Sequence, residues 1–308
     1  MEKRNLRIIF MGTPEFAVPS LEVLVKNKFD VVAVITAPDK PAGRGLKVQT
    51  SPVKDFAVAQ NIPVLQPKNL KDPAFIEELK SYQANLQVVV AFRMLPEAVW
   101  DMPEYGTFNL HASLLPQYRG AAPIHWAIIN GEKETGVTTF FLQHAIDTGD
   151  VILQDKEPIH STDTVGELYG RLMEKGGQLV LKTVQKIEAN DYQLSPQMSR
   201  GELKKAPKIF KETCEIDFGK TSQEVYDFIR GLSPYPAAWM TLEGKQCKVF
   251  NASIVNEPVH AEVGKAYATD HKHYLYFKTK DGFVSIEEIQ KAGKKRMHIE
   301  EFLRGAKL

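Results

Sequence analysis

Apolar runs separated by amphipathic stretches recur through the first 190 residues, and this alternation constrains the fold more than any other feature. LRIIF (6–10), VVAVIT (31–36), LQVVVAF (86–92) and TFNLHAS (107–113) are runs of strand length. A short run, PVLQP (63–67), joins them. Helical stretches lie between: one ending near Asn27, then VKDFAVAQN (53–61), AFIEELKSY (74–82) and APIHWAIIN (122–130). A strand buried on both faces has no polar side to show, so its sequence is continuous rather than alternating. Strands of that kind, separated by helices, predict a parallel sheet covered by helices on both faces. TGVTTFFLQ and DVILQDKEPI extend the sheet. Thr164 with Glu167 forms a capping box that opens a long helix reaching about Asn190.

The pattern then changes. YQLSPQMSRGELKKAPK (192–208) is polar and basic with two prolines, and reads as a linker. From about residue 209 there is one helix, SQEVYDFIRGL (222–232), followed by short β-like runs at even spacing: AAWMTLEG, KQCKVFNASIV, GKAYATD, HYLYFKTKDG and FVSIEEIQ. Even spacing with turn residues between predicts a small barrel or sandwich. The expected boundaries are 1–190 for the first domain, 191–208 for the linker and 209–308 for the second domain.

Composition removes several classes. A chain of 308 residues suits two domains. A net charge of +1 excludes a globally basic nucleic-acid binder, although separate basic patches fit inside a balanced total. Cys214 and Cys247 form no CxxC and no disulfide framework, which suits a reducing compartment. MEKRNLRIIFMG reads as a first strand, not a secretion signal. No apolar run approaches the ~18 residues that span a bilayer. The expectation is a cytoplasmic, monomeric protein.

Several motifs carry chemistry. GTPEF follows the first strand, where a dinucleotide fold places its phosphate loop, but Gly12 stands without the other glycines of G-x-G-x-x-G. A tight strand-to-helix turn is the better reading. Asn109 and His111, two apart in a strand, share a face near its carboxyl end. An amide donor beside an imidazole can serve one developing oxyanion; two hydrogen-bonded polar residues at a sheet end is the competing reading. SLLPQYRGAAP is a stiff loop whose Leu114 and Leu115 need a surface to cover. Asp147 in AIDTGD either pairs with His111, which favours imidazolium, or builds an Asx turn. The long loop 38–54 has Lys40, Arg44, Lys47 and Lys54 against Asp39, a composition for gripping phosphates or for facing solvent. KAGKKRM (291–297) holds Lys294, Lys295 and Arg296, and with the basic linker suggests a second basic surface. The His271–His273 pair reads as a turn, and no metal site is expected.

NLHASLLPQYRGAAP with the downstream AIDTGD resembles the folate-dependent formyltransferases. IIFMGTPEFA, PDKPAGRG, SPVK, GEKETGVTT, IRGLSPYPAAW and KAGKKRM extend the resemblance over nearly the whole chain, towards members that act on tRNA. The resemblance implies an α/β fold: a Rossmann-like N-terminal domain with a mostly parallel sheet and an OB-like C-terminal β-barrel. It implies Asn109, His111 and Asp147 as the catalytic trio. Ser113, Leu114, Leu115 and Pro116 would line the folate pocket. Arg44, with Lys40 and Lys47, would meet the tRNA acceptor end, and Lys294, Lys295 and Arg296 would add tRNA contacts. The donor would be 10-formyltetrahydrofolate, and the acceptor the methionine on initiator tRNA. The alternative is an amino-sugar nucleotide as acceptor. The chain departs from the family after the fourth strand, where Phe92 and Arg93 stand in place of a Tyr-Gly pair, in a loop that borders the folate pocket.

Overall fold

A computed structural model describes residues 3–42, 47–145, 147–198, 201–259 and 266–306. The chain forms two compact units, and both are discontinuous in sequence. The first holds residues 1–119, 136–157 and 169–204; the second holds 120–135, 158–168 and 205–308. Two segments that read as parts of the N-terminal domain therefore pack with the C-terminal residues.

The elements of the first half are β1 (Arg7–Gly12), α1 (Val18–Lys26), β2 (Asp30–Ile35), β3 (Lys40–Ala42), β4 (Lys47–Gln49), α2 (Pro52–Ala59), β5 (Val64–Leu65), α3 (Pro73–Ser81), β6 (Leu86–Val90), α4 (Glu97–Trp100), β7 (Thr107–His111), β8 (Arg119–Gly120) and α5 (Pro123–Ile129). Then follow β9 (Glu134–Phe141), β10 (Val151–Pro158), α6 (Val165–Glu188), β11 (Lys205–Ala206), α7 (Ser222–Leu232), β12 (Ala238–Leu242), β13 (Lys245–Val255), β14 (Tyr267–Thr269), β15 (Leu275–Lys278), β16 (Phe283–Lys291), β17 (Met297–His298) and α8 (Ile299–Gly305). Among the described residues no helix is long and apolar enough to cross a membrane.

A seven-stranded sheet runs in the order β10-β9-β7-β6-β1-β2-β5. The pairs β1–β2, β1–β6, β2–β5 and β6–β7 are parallel, and β9 lies antiparallel to β7. The continuous apolar runs are this parallel core, with Ile8, Ile9, Phe10, Leu86, Val88, Val90 and Phe108 fully buried. The chain first builds outward from β1 on one side, then returns to build β6 and β7 on the other. That reversal is the switch point where ligands of open α/β sheets bind, outside the carboxyl ends of the strands. Gly12 ends β1 there. A Cβ on it would stand 2.7 Å from Ala17 Cβ and 3.1 Å from Val90 O, so the turn needs glycine for close packing, in line with the tight-turn reading.

Loop 37–52 differs from its reading as an irregular segment: β3 and β4 pair as an antiparallel hairpin, Lys40 opposite Gln49. Its base is clamped. Lys54 Nζ donates to Asp39 and, at 2.9 Å, to Gln66 Oε1; Gln66 Nε2 donates to Asp39 Oδ1 at 2.7 Å. Hydrogen bonds from Lys54 and then Gln66 hold the Asp39 carboxyl below its ordinary range. Lys54 thus belongs to the clamp.

The second unit carries an antiparallel sheet in the order β12-β13-β16-β15-β14, with β17 beside β16. Helix α7 lies against it, and Val225, Ile229 and Leu232 enter a core with Met240, Val249, Val284 and Ile289. Thr221 and Glu224 form the capping box of α7. The β14–β15 turn is tied by Asp270, which accepts from the backbone N–H of Lys272 and His273 and from the His273 ring.

One buried ion pair explains a polar residue in the run IRGL. Arg230 and Asp227 side chains are 4% and 5% exposed and 2.7 Å apart. Arg230 Nη1 also donates to Asp163 O at 2.8 Å and His160 O at 3.3 Å, so one guanidinium closes the 158–168 segment onto α7 within the unit. Removing one partner of such a pair leaves a charge in a poor dielectric. Arg230→Met is expected to destabilise by about 3–5 kcal/mol, read from urea unfolding; a loss below ~1 kcal/mol, the ordinary value for a surface pair, contradicts this account.

Candidate active site

β7 delivers two polar side chains at its carboxyl end. Asn109 lies opposite Val89 on one neighbour and Phe140 on the other; His111 lies opposite Thr138. Their shared face follows from the two-residue period of a strand. Asn109 is half-buried, and among the described residues its carboxamide has no hydrogen-bond partner. His111 is 6% exposed, and its Nε2 lies 2.8 Å from the carbonyl oxygen of Tyr118. A carbonyl only accepts, so Nε2 carries a proton and Nδ1 is the nitrogen left for chemistry.

The loop after β7 turns back to place that carbonyl. Tyr118 takes a left-handed φ of 59° and its N–H donates to Lys204 O at 2.7 Å. Thr138 on β9 is the hub beneath the loop. Its fully buried hydroxyl donates to Ser113 O at 2.6 Å and accepts from Leu115 N–H at 3.2 Å and Gln154 Nε2 at 2.9 Å. Gln154 Nε2 also reaches Leu115 O at 2.9 Å. Sequence reasoning passed over Thr138 and Gln154. The available signal was a Thr pair inside an otherwise apolar strand, since a buried hydroxyl needs a partner.

The residues assigned to a pocket lining divide. Ser113 is fully buried and donates its hydroxyl to Gln117 O at 2.7 Å, so it shapes the loop from inside. Leu115 is buried, while Leu114 and Pro116 are half-buried. Pro116 and Leu115 border a cleft of about 380 Å³ together with Gln154, Ser195, Gln197 and Met198.

Asp147 lies in the β9–β10 turn with a φ of 54°. Among the described residues it shares no hydrogen bond with His111. The turn closes tightly at Gly149, where a Cβ would fall 1.6 Å from Phe141 O, so no other residue fits. Gln197 Nε2 donates to Asp147 O at 2.9 Å and Gly149 O at 2.8 Å.

The segment 192–208 is bound to the rest of its unit over its first part, which its reading as a linker did not anticipate. Ser195 exchanges two backbone hydrogen bonds with Val151, and Gln117 meets Glu202 O and Lys204 N. Arg93, where the chain departs from the family pattern, donates to the carbonyls of Lys68 and Pro67 and so braces its own loop. Met94 beside it is 74% exposed.

Of the basic residues, Lys40 is exposed at the start of β3; Arg44 and the Lys47 side chain lie outside the described residues. In the second unit Lys294 and Lys295 are exposed in the β16–β17 turn without ion pairs among the described residues. Arg296 is paired with Glu288 and lies 4.5 Å from the Phe250 ring centre. Among the described residues no group of His, Cys, Asp and Glu is arranged to hold a metal ion.

Thr138→Val keeps the side chain's shape but removes the hub. The expected cost is about 1–3 kcal/mol, with faster amide exchange at Leu115. Unchanged exchange there would mean the loop is held by other contacts.

Comparison with known proteins places this arrangement. Residues 6–184 match the Formyl transferase family and residues 208–307 its C-terminal domain. A methionyl-tRNA formyltransferase from Bacteroides thetaiotaomicron is 55% identical over 100% of this chain and 98% of its own. One from Flavobacterium johnsoniae is 52% identical over 99% and 97%. An N-formyltransferase from Helicobacter canadensis, solved with folinic acid and dTDP-3-aminofucose, has a TM-score of 0.69 at 26% identity, covering 93% of this chain and 99% of that one.

Proposed function

The chain belongs to the formyl transferase family, and from that premise we infer the reaction and the residues that carry it. The enzyme transfers a formyl group to the α-amino group of methionine on initiator methionyl-tRNA, a step of translation initiation. The full-length likeness to methionyl-tRNA formyltransferases at 50% identity and above supports that acceptor. The observation that carries the chemical reading is the pair at the end of β7: an amide and an imidazole nitrogen on one face, neither committed to a protein partner among the described residues.

We assign 10-formyltetrahydrofolate as donor, supplying an activated formyl carbon on a nitrogen that can leave. Support comes from the folate-type ligand in a related structure and from the exposed loop holding Phe92 and Met94 after β6 at the switch point. Leu114 and Pro116 are the lining residues with surface to offer. The methionine amine attacks the formyl carbon; that C–N bond forms while the bond to the folate nitrogen breaks. Asn109 donates to the formyl oxygen as negative charge grows on it. His111, when protonated, donates to the same oxygen through Nδ1–H while Nε2–H stays on Tyr118. Oxyanion donors contribute about 3 kcal/mol each. Asp147 holds a water that passes the amine's proton to the departing nitrogen. No covalent enzyme intermediate is involved.

We assign Lys40, Arg44 and Lys47 to phosphates of the acceptor end, and Lys294, Lys295 and Arg296 to further tRNA phosphates. Support is the local excess of basic residues in loop 38–54 and in the β16–β17 turn. The work is done in the cytoplasm, where charged initiator tRNA is used.

Asn109→Ala, His111→Ala and Asp147→Ala are each expected to lower kcat about 10²–10³-fold, with KM for tRNA nearly unchanged. Arg44→Ala should act mainly on KM for tRNA. The assay is formyl transfer to methionyl-tRNA, with free methionine, an amino-sugar nucleotide and water as parallel acceptors. Near-normal turnover by the His111 variant removes the assignment, and transfer to the sugar keeps the chemistry but replaces the acceptor.

A further inference from the structure

We infer that Gln197 and Arg119 are positioning residues for Asp147, so that the strap formed by segments 195–198 and 201–204 is part of the catalytic apparatus. The inference rests on the role proposed for Asp147.

The hydrogen-bond polarity leaves one arrangement. Arg119 can only donate, and it does so to Gln197 Oε1 from Nε at 3.1 Å and Nη2 at 2.7 Å. The orientation of the Gln197 amide is therefore set, and Nε2 faces away from Arg119. Both its hydrogens are spent on the turn that carries Asp147, one on the carbonyl of Asp147 and one on that of Gly149. Two carbonyls converge on one nitrogen, which curls the turn around it. The strap is itself anchored two residues earlier by the reciprocal Ser195–Val151 bonds, 3.0 and 2.9 Å long.

The other end of the strap serves the second reacting group. Lys204 O receives Tyr118 N–H at 2.7 Å, and Tyr118 O receives His111 Nε2 at 2.8 Å. The strap thus touches Asp147 directly, at its own carbonyl, and reaches His111 through one intervening residue, Tyr118. Displacements of about 1 Å in such supports cost up to ~10²-fold in rate.

Gln197→Glu separates positioning from folding. A glutamate still accepts from Arg119, with a charge-assisted bond, but offers no N–H and sets an oxygen against two carbonyl oxygens. The expected result is a 10–100-fold fall in kcat, KM for both substrates within ~2-fold, and an unchanged unfolding midpoint. Arg119→Lys keeps the charge but loses the two-pronged contact, and should fall between wild type and Gln197→Glu. In an Asp147→Ala background Gln197→Glu should add little, because groups acting through one another are not additive. Asp147→Ala crippled but Gln197→Glu fully active overturns the inference while leaving the functional reading intact. An equal loss in both backgrounds also overturns it, since Gln197 would then act elsewhere. A normal Asp147→Ala enzyme removes the functional reading and this inference together.

Discussion

The hydrogen bond from His111 Nε2 to the carbonyl of Tyr118 is the interaction on which the site depends. It selects which ring nitrogen meets a substrate, and it requires the chain to leave β7, turn and bring a backbone carbonyl back within seven residues. That return is not a low-energy path by itself. Tyr118 sits at a positive φ, and the loop leans on Thr138, Gln154, the Ser113 hydroxyl and Lys204. Each tie also satisfies a polar group that would otherwise be buried without a partner. The same bonds that let the loop fold therefore orient the imidazole.

The sheet explains why this happens at the end of β7. Building outward from β1 in two directions leaves a crevice at the strand ends of β1 and β6, with β7 adjoining. The antiparallel neighbour β9 supplies Thr138 opposite His111 and then runs to the turn holding Asp147. β7 thus presents Asn109 and His111 towards its carboxyl end, while β9 runs back beside β7 as far as Thr107 before the turn that holds Asp147. The second unit obeys a different logic: α7 on an antiparallel sheet, with Arg230 and Asp227 buried as a pair and satisfied by backbone carbonyls of the 158–168 segment.

Much of this was legible in the sequence, for physical reasons. Parallel-core strands announce themselves because both faces are buried, and LQVVV and RIIFM are such strands. The spacing of Asn109 and His111 says they share a face. Thr164–Glu167 marked the start of α6 because a capping box is a local device. What escaped depends on partners distant in sequence. Gln197 contacts a turn 48 to 50 residues away, and nothing around SPQMS distinguishes it from a solvated polar run. The β3–β4 hairpin escaped because three-residue strands carry no periodicity. Segment 120–135 joins the second unit because α5 packs on α7, and segment 158–168 because Arg230 binds its carbonyls, tertiary choices that helical spacing cannot encode. Ser113 was legible as a loop residue, but its buried hydroxyl turned inward to Gln117.

The central claim, that Tyr118 commits His111 to the Nε2–H form and reserves Nδ1 for the reaction, is open to direct measurement. Nitrogen-15 NMR of the histidine-labelled enzyme, with His111 identified among the eight histidines by comparison with a His111→Asn variant, reads the tautomer of the neutral ring. The account predicts a protonated Nε2 and a bare, imine-type Nδ1. A ring protonated at Nδ1 instead would contradict it and return both the oxyanion contact and the purpose of the loop to question.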